Sequence, residues 1–327
     1  MRLGVLGTMV WDRIHARDGR AEPIEEWGGI SYALAAAAAA APADTTIVPI
    51  IRVGSDLADR AFDFFRSLPG LDLTTGVRVV EEPNNRVELR YRDRERRFEQ
   101  LTGGIGPWAW ADLAPIVHGV DALYINFISG FELELTTAVA LRAHFAGPIY
   151  ADLHSLLLGV RPDGVRVPRP LEAWREWLRC CDAVQLNEDE LATLADAWGD
   201  PFLFAAEVVG AAPRLLLVTL GERGAAYFAA PSFSADVRAW RRARVLVPPP
   251  LSDAGAVRTQ RYPPELIPRE GDPTGCGDVW GATCFCALLE QQGLDVAMRR
   301  ANSAAARNVE HRGATGLHYH LQGRIGT

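Results

Sequence analysis

The run Asp272, Pro273, Thr274, Gly275, Cys276, Gly277, Asp278 leads straight into an apolar stretch over residues 279–289. Two glycines around one small residue, followed by an apolar run of helical length, describe a tight loop feeding a helix N-terminus. Glycine there lets the backbone come close to a ligand, and the first helical N–H groups point outward without partners. Such an end attracts anions, phosphate above all. Asp278 places a negative charge where the anion would sit. Two readings fit it: a capping carboxylate, or a general base beside a phosphoryl group in transfer.

All 34 basic residues are arginine, and the chain contains no lysine. That absence removes whole classes of chemistry. P-loop and protein-kinase sites need a lysine on the phosphates, and Schiff-base or pyridoxal-phosphate chemistry needs a lysine amine. Any phosphoryl transfer here must rely on helix-end amides, arginine and a bound metal ion. A dinucleotide fingerprint fails on spacing, since Gly275, Gly277 and Gly281 give G-x-G-x-x-x-G, one residue too long.

The 327 residues are 48% hydrophobic and 23% charged with a net charge of −7, the balance of a soluble chain with ample core. The acidic excess speaks against general nucleic-acid binding. No apolar stretch is long enough to span a membrane, and the N-terminal residues lack the pattern of a signal peptide; a cytoplasmic location is the expectation. Five cysteines, Cys180, Cys181, Cys276, Cys284 and Cys286, form neither a disulfide framework nor a zinc spacing. Of these, only Cys276 could face a ligand.

Short apolar runs at 3–6, 46–51, 122–125, 149–151, 183–186 and 215–219 read as buried strands. Helical patterns lie between and beside them at 32–41, 57–67, 133–145, 171–180 and 188–197. That alternation predicts an α/β fold, a mainly parallel central sheet with helices on both faces. Residues 86–98 break the pattern. Val87, Leu89 and Tyr91 alternate with charged residues, and 93–95 could form the turn of a hairpin, a candidate lid; its arginines read either as a solvated face balanced by Glu88, Asp93, Glu95 and Glu99, or as groups that meet a negatively charged substrate. The C-terminal tail with His318 and His320 reads as a solvated end.

The glycine loop resembles the C-terminal signature of the ribokinase-like (PfkB) sugar and nucleoside kinases, D-T-x-G-A-G-D, with Pro273 and Cys276 replacing threonine and alanine. Other segments match that family in the same order. Asp12 and the pair Gly28, Gly29 resemble the first-strand aspartate and Gly-Gly that bind the acceptor's hydroxyls. Ile30 and Ala33 stand where the ribokinase form has lysine and asparagine, which puts ribose itself in doubt as the acceptor. Val53, Gly54, Ser55 and Asp56 resemble the V-G-x-D turn, a support that could also cap a helix. Asn187 and Glu190 have the family's N-x-x-E spacing, and the same pair reads equally as an N-capped helix with an acidic first turn. Thr219, Gly221 and Gly224 resemble the nucleotide-binding turn V-T-L-G-x-x-G.

The resemblance implies one ribokinase-like domain over 1–327 with a small β lid from about 12–27 and 84–102. It implies transfer of the ATP γ-phosphoryl group to a hydroxyl of a sugar or related polyol. Asp278 would be the base, and the amides of Gly275, Cys276 and Gly277 the anion hole. Thr219, Gly221 and Gly224 would hold the nucleotide, and Asp12, Gly28 and Gly29 the acceptor. Asn187 and Glu190 would order Mg²⁺ through water, and a monovalent cation such as K⁺ could sit beside Asp272 and Thr274. The partners implied are small molecules, with neither nucleic acid nor membrane, and a second copy of the chain could pair through the lid. Two alternatives stand beside this: a nucleoside or inositol kinase of the same family, and a binding regulator that keeps the fold without turnover.

Overall fold

Apolar segments too short to be helices become adjacent strands of one sheet in the computed structural model, which describes residues 1–15, 22–91, 97–209, 213–240, 255–265 and 271–323. From edge to edge the order is β5 (Val77–Val80), β4 (Thr46–Gly54), β1 (Arg2–Leu6), β8 (Ala122–Asn126), β9 (Ile149–Asp152), β12 (Ala183–Asn187), β13 (Leu215–Thr219), β14 (Ala225–Ala229) and β15 (Arg258–Tyr262). Every neighbouring pair is parallel from β5 through β13, and β14 and β15 complete the sheet antiparallel. All the expected strands lie inside this sheet. Apart from the edge strand β5, the parallel strands are almost wholly buried, as a sheet covered on both faces requires.

Helices α1 (Ile30–Ala40), α8 (Cys276–Leu289), α9 (Leu294–Val309) and α10 (Leu317–Leu321) pack on one another over one face. The alanine run of α1 allows this, because its small side chains let α8 approach closely; residues Ile30 to Ala37 are all buried. On the β1–β4 side the chain continues through α2 (Ala58–Ser67) to the β5 edge. From β8 to β13 the order runs the other way. Right-handed crossovers therefore put α3 (Trp110–Val117), α4 (Leu135–His144), α5 (Trp174–Arg179), α6 (Glu188–Leu194) and α7 (Pro201–Val209) on the opposite face. There a buried ion pair joins α4 to the start of β12, Arg142 donating to Asp182 at 2.9 Å.

A second, four-stranded sheet has the order β3 (Ile24–Gly29), β2 (Met9–His15), β6 (Arg86–Tyr91), β7 (Arg97–Thr102). It is two antiparallel hairpins joined by a parallel β2–β6 pair. Val87 and Leu89 are buried, as their alternation predicts, while Arg86 pairs with Asp56 and Arg90 with Glu88. The expected turn at 93–95 lies outside the described residues. A further hairpin of β10 (Leu158–Val160) and β11 (Arg166–Pro168) leans on β7, where the Leu101 amide donates to the Gly164 carbonyl at 2.9 Å.

The C-terminal tail differs from its reading as a solvated end. α10 lies against α1, and His318 is only 1% exposed. The turn at Gly316 (φ +74°) folds the chain back, so that Leu317 and His318 bury against the flat alanine face. Among the described residues no helix is long and apolar enough to cross a membrane.

α8 sits very close to the sheet. A Cβ added at Gly281 would lie 2.2 Å from Gln185 Oε1 and 2.6 Å from the Tyr124 hydroxyl, both fixed in buried contacts. Gly281→Ala is expected to destabilise the fold by about 1–3 kcal/mol, the usual range for overpacking a core. The shift of the urea midpoint at unchanged slope measures it.

Candidate active site

Asp278 stands in the first turn of α8, and Gly275 caps that helix in the left-handed conformation (φ +77°). Only glycine fits there, because an added Cβ would come within 2.3 Å of the Tyr32 ring. The Cys276 amide bonds the Pro273 carbonyl at 3.1 Å, which engages one of the three amides expected to form an anion hole. The Cys276 side chain turns towards α9, with its sulfur 3.5 Å from the Ala305 carbonyl and within 3.3 Å of the Asn308 amide. Burial pushes this thiol up to about 11, so it is neither charged nor aimed at a ligand near neutral pH. Gly277 is exposed at the open end of the helix.

Under α8 the central strands end in polar residues. Asn126 ends β8 and donates to Asp278 Oδ1 at 2.6 Å. Asp152 ends β9 beside it in register, and Gln185 of β12 is opposite Asp152 in turn. The Gln185 side chain donates to Asp152 at 2.8 Å and to the Gly277 carbonyl at 3.0 Å, and accepts from the Tyr150 hydroxyl at 2.8 Å. Those contacts seat the helix end over the carboxyl ends of the strands, where ligands bind in open parallel sheets.

Asn187 ends β12 and caps α6. Its Oδ1 accepts from the Glu190 amide at 2.8 Å, while Glu190 accepts from the Asn187 backbone and side-chain amides at 2.8 and 2.6 Å. The N-x-x-E spacing is thus a capping box. Glu190 also holds His154 at 2.5 Å. Burial and then the Glu190 charge raise the Asp152 carboxyl well above the usual range, with Asp278 adding to the effect. These are hard oxygen donors of one sign, suited to a hydrated divalent cation. Among the described residues, no three acidic, histidine or cysteine side chains are close enough to hold an ion directly.

Thr219 ends β13 in register with Asn187, and the turn beyond it holds Gly221 (φ +56°) and Gly224 (φ +88°). Nothing lies within 4 Å of a Cβ built at Gly221, so this side of the turn is open. Arg223, between the two glycines, pairs with Glu188.

Asp12 belongs to β2 of the small sheet, on the buried row with Val10 and Ile14, and is 4% exposed. Gly28 of β3, which pairs with Val10, lies against the Asp12 carboxylate; a Cβ there would be 1.8 Å from it. Tyr32 connects this end to the glycine loop. Its hydroxyl is raised by burial, then by the charges of Glu26, Asp12, Asp272 and Asp278, all within electrostatic reach of it. Ile30 and Ala33 are fully buried. Asp272 Oδ1 accepts from the Thr274 amide at 2.9 Å, and the Thr274 carbonyl from Asn308 at 2.8 Å, so both residues spend oxygens inside the protein. Asp56 of the V-G-x-D turn accepts from the Asn84 amide at 2.8 Å and from Arg86, a support for the small sheet; it caps no helix.

Sequence reasoning missed Asn126, Asp152, His154 and Gln185. Their signal is a polar residue in or just beyond the last positions of an apolar strand, in Tyr-Ile-Asn, Tyr-Ala-Asp-Leu-His and Gln-Leu-Asn.

The family profile of the pfkB family carbohydrate kinases matches residues 36–318. No curated protein matches significantly. The fold is similar to Arabidopsis thaliana ribokinase complexed with ribose and ATP, at 17% identity and TM-score 0.69, covering 98% of this chain and 97% of that one. It is similar to a pyrophosphate-dependent kinase of the ribokinase family complexed with a pyrophosphate analog and myo-inositol, at 18% identity and TM-score 0.71, covering 96% and 97%. A third is the Burkholderia thailandensis nucleoside kinase in complex with inosine, at 15% identity and TM-score 0.68, covering 96% and 93%.

His154 provides a pH test of the cluster. Burial lowers its pKa, but the charge and hydrogen bond of Glu190, with Asp152 behind, outweigh that and lift it from 6.5 to about 9. A raised histidine stabilises the fold fully below about pH 6.5 and loses that contribution as pH rises through about 9. Thermal midpoints of wild type and His154→Gln should therefore converge between pH 6.5 and 9.5, wild type being the higher at the acid end.

Proposed function

The chain belongs to the pfkB family of carbohydrate kinases, and from that premise we propose that it transfers the γ-phosphoryl group of ATP to a hydroxyl of a sugar or related polyol. The observation that carries this is Asp278 in the first turn of α8, beside the left-handed Gly275 that caps the helix and packs on the Tyr32 ring. The acceptor lies between the small sheet and the glycine loop. Asp12 accepts hydrogen bonds from its hydroxyls, an ionised carboxylate being acceptor-only, and the main chain at Gly28 and Gly29 closes against it. Asp278 takes the proton of the attacking hydroxyl as the bond to phosphorus forms. Gly275 and Gly277, with the helix end behind them, meet the charge on the transferring group; the Cys276 amide, shared with Pro273, adds less.

Thr219, Gly221 and Gly224 face the donor. Magnesium fits the carboxylates near Asn187 and Glu190 through its water shell, since Mg²⁺ keeps several waters and takes few protein ligands. It would neutralise donor charge there. The small sheet serves as a lid, excluding water while transfer proceeds. A monovalent cation has less support, because Asp272 and Thr274 spend oxygens on internal bonds. A second donor deserves testing, because one structural neighbour is pyrophosphate-dependent.

The test is a product assay with Mg-ATP and with magnesium pyrophosphate across sugars, polyols and nucleosides. Acceptor-dependent turnover is expected, and Asp278→Asn should lower kcat by about 10²–10⁴-fold with donor binding retained. Silence with both donors on every acceptor, with ligands still bound, would overturn the reading. Asp12→Ala should raise the acceptor KM about 10-fold or more and leave kcat within a few-fold, as loss of uniform binding does.

A further inference from the structure

We propose that Asn126 is a positioning residue for Asp278, fixing the rotation of the carboxylate that takes the proton; this rests on the kinase reading above. The contact is short and partly buried. Asn126 Nδ2 donates to Asp278 Oδ1 at 2.6 Å, and Asn126 has no exposed surface. The other end of the same side chain is what marks it as functional. Asn126 Oδ1 is buried without a hydrogen-bond partner. An asparagine kept for packing meets the cost of burial by pairing both ends of its amide, because an orphaned carbonyl bears its full desolvation penalty. Here the acceptor end bears that penalty, while the donor end meets the one carboxylate in the first turn of α8.

The main chain beneath is fixed. The Phe127 amide donates to the Asp152 carbonyl at 3.0 Å. Beyond it the buried Glu132 carboxylate accepts from the amides of Ile128, Ser129 and Gly130 at 2.8, 2.6 and 3.0 Å. On the near side, a Cβ at Gly7 would come within 2.9 Å of the Asn126 carbonyl. Asn126 is thus set on a rigid strand end with a fixed aim, as a group that orients another requires.

The choice of an amide is also chemical. A neutral donor holds one carboxylate oxygen without the full positive charge of an arginine, which would make the base much weaker. The groups facing Asp278 from neighbouring elements are Asp152 on β9, Tyr124 on β8 and Tyr32 on α1, with the Cys276 thiol on α8 itself. None of these supplies a positive charge. Removing the donor should therefore leave the carboxylate both freer to rotate and easier to protonate.

The variant is Asn126→Leu, of similar volume with no hydrogen bond. With Mg-ATP or magnesium pyrophosphate and ribose, myo-inositol and inosine as acceptors, kcat should fall about 10- to 100-fold, a part of what a base supplies, while both KM values stay within about three-fold. The thermal midpoint should hold or rise, because the orphaned carbonyl is gone. A second measurement needs no turnover. Carboxylate difference infrared spectra, assigned with Asp278→Asn, should show the Asp278 midpoint about one pH unit higher in the variant. Asn126→Asp, which places like charge against Asp278, should raise it further, and stands in if the leucine variant does not fold. An unmoved midpoint would sink the proposal, as would unchanged kcat or a fall in stability that accounts for the lost activity. Silence of wild type with every acceptor, beside a shifted midpoint, would remove the kinase reading and leave the Asn126–Asp278 coupling standing.

Discussion

The site depends on how closely α8 can approach the sheet. Gly277 and Gly281 have no side chain between the helix and the strands, and the Gln185 amide takes up that space, joining Tyr150, Asp152 and the Gly277 carbonyl. Deeper in, Phe285 lies 5.3 Å from the Tyr150 ring and 6.4 Å from that of Tyr124, so the same helix face is apolar one turn further on. With α1 packed on its other side through Gly275 and Tyr32, the helix end has little freedom to move. An open helix end attracts an anion wherever it lies; the packing decides that it lies beside the polar ends of β8, β9 and β12. A bulkier residue at Gly281 would displace the helix dipole and Asp278 together.

The small sheet is rooted by a different device. Buried Asn84 donates from its side chain to the Met9 carbonyl at 3.0 Å and accepts from the Gly54 amide at 3.1 Å, and the Trp11 amide donates to the Asn85 carbonyl at 3.0 Å. These bonds tie the starts of β2 and β6 to the end of β4. Only the root is held so, while the far end of the sheet rests on the β10–β11 hairpin through Arg166 and Glu99 at 3.4 Å. Asp12 lies near the root. Asp12 is therefore referenced to the main sheet through those bonds.

The strands, the glycine loop and the lid hairpin were legible because each is a local pattern: apolar runs, turn residues, alternation. The side chains around Asp278 were not. Asn126, Asp152, Gln185 and His154 come from β8, β9, β12 and the segment after β9, and no spacing in the sequence joins them, since parallel register alone brings them side by side. Strands β14 and β15 escaped for another reason: the three alanines of Ala-Ala-Tyr-Phe-Ala and the polar run Arg-Thr-Gln-Arg lack an apolar stretch, and antiparallel pairing at this side of the sheet fixes their form. His318 was misread as solvated because a short polar helix gives no sign of the alanine face waiting for it.

Asn187 and Glu190 show why one motif can have a structural and a chemical reading at once. The capping box occupies the oxygens facing the helix, and His154 adds a third donor to Glu190. A carboxylate offers about four acceptor directions, so room remains for a water of a hydrated cation but little for direct coordination. The surrounding charge makes the same point from outside. Asp152, Glu190 and Asp278 lie within electrostatic reach of one another, relieved mainly by His154, and Arg223 nearby is already paired with Glu188. A donor with several negative charges meets repulsion there unless its own cation comes with it. On the proposed kinase reading, that cation and the open end of α8 offset the charge. On that reading the capping box does both jobs without rearrangement, holding α6 with its inner oxygen directions and leaving the outer ones to a water of the incoming ion.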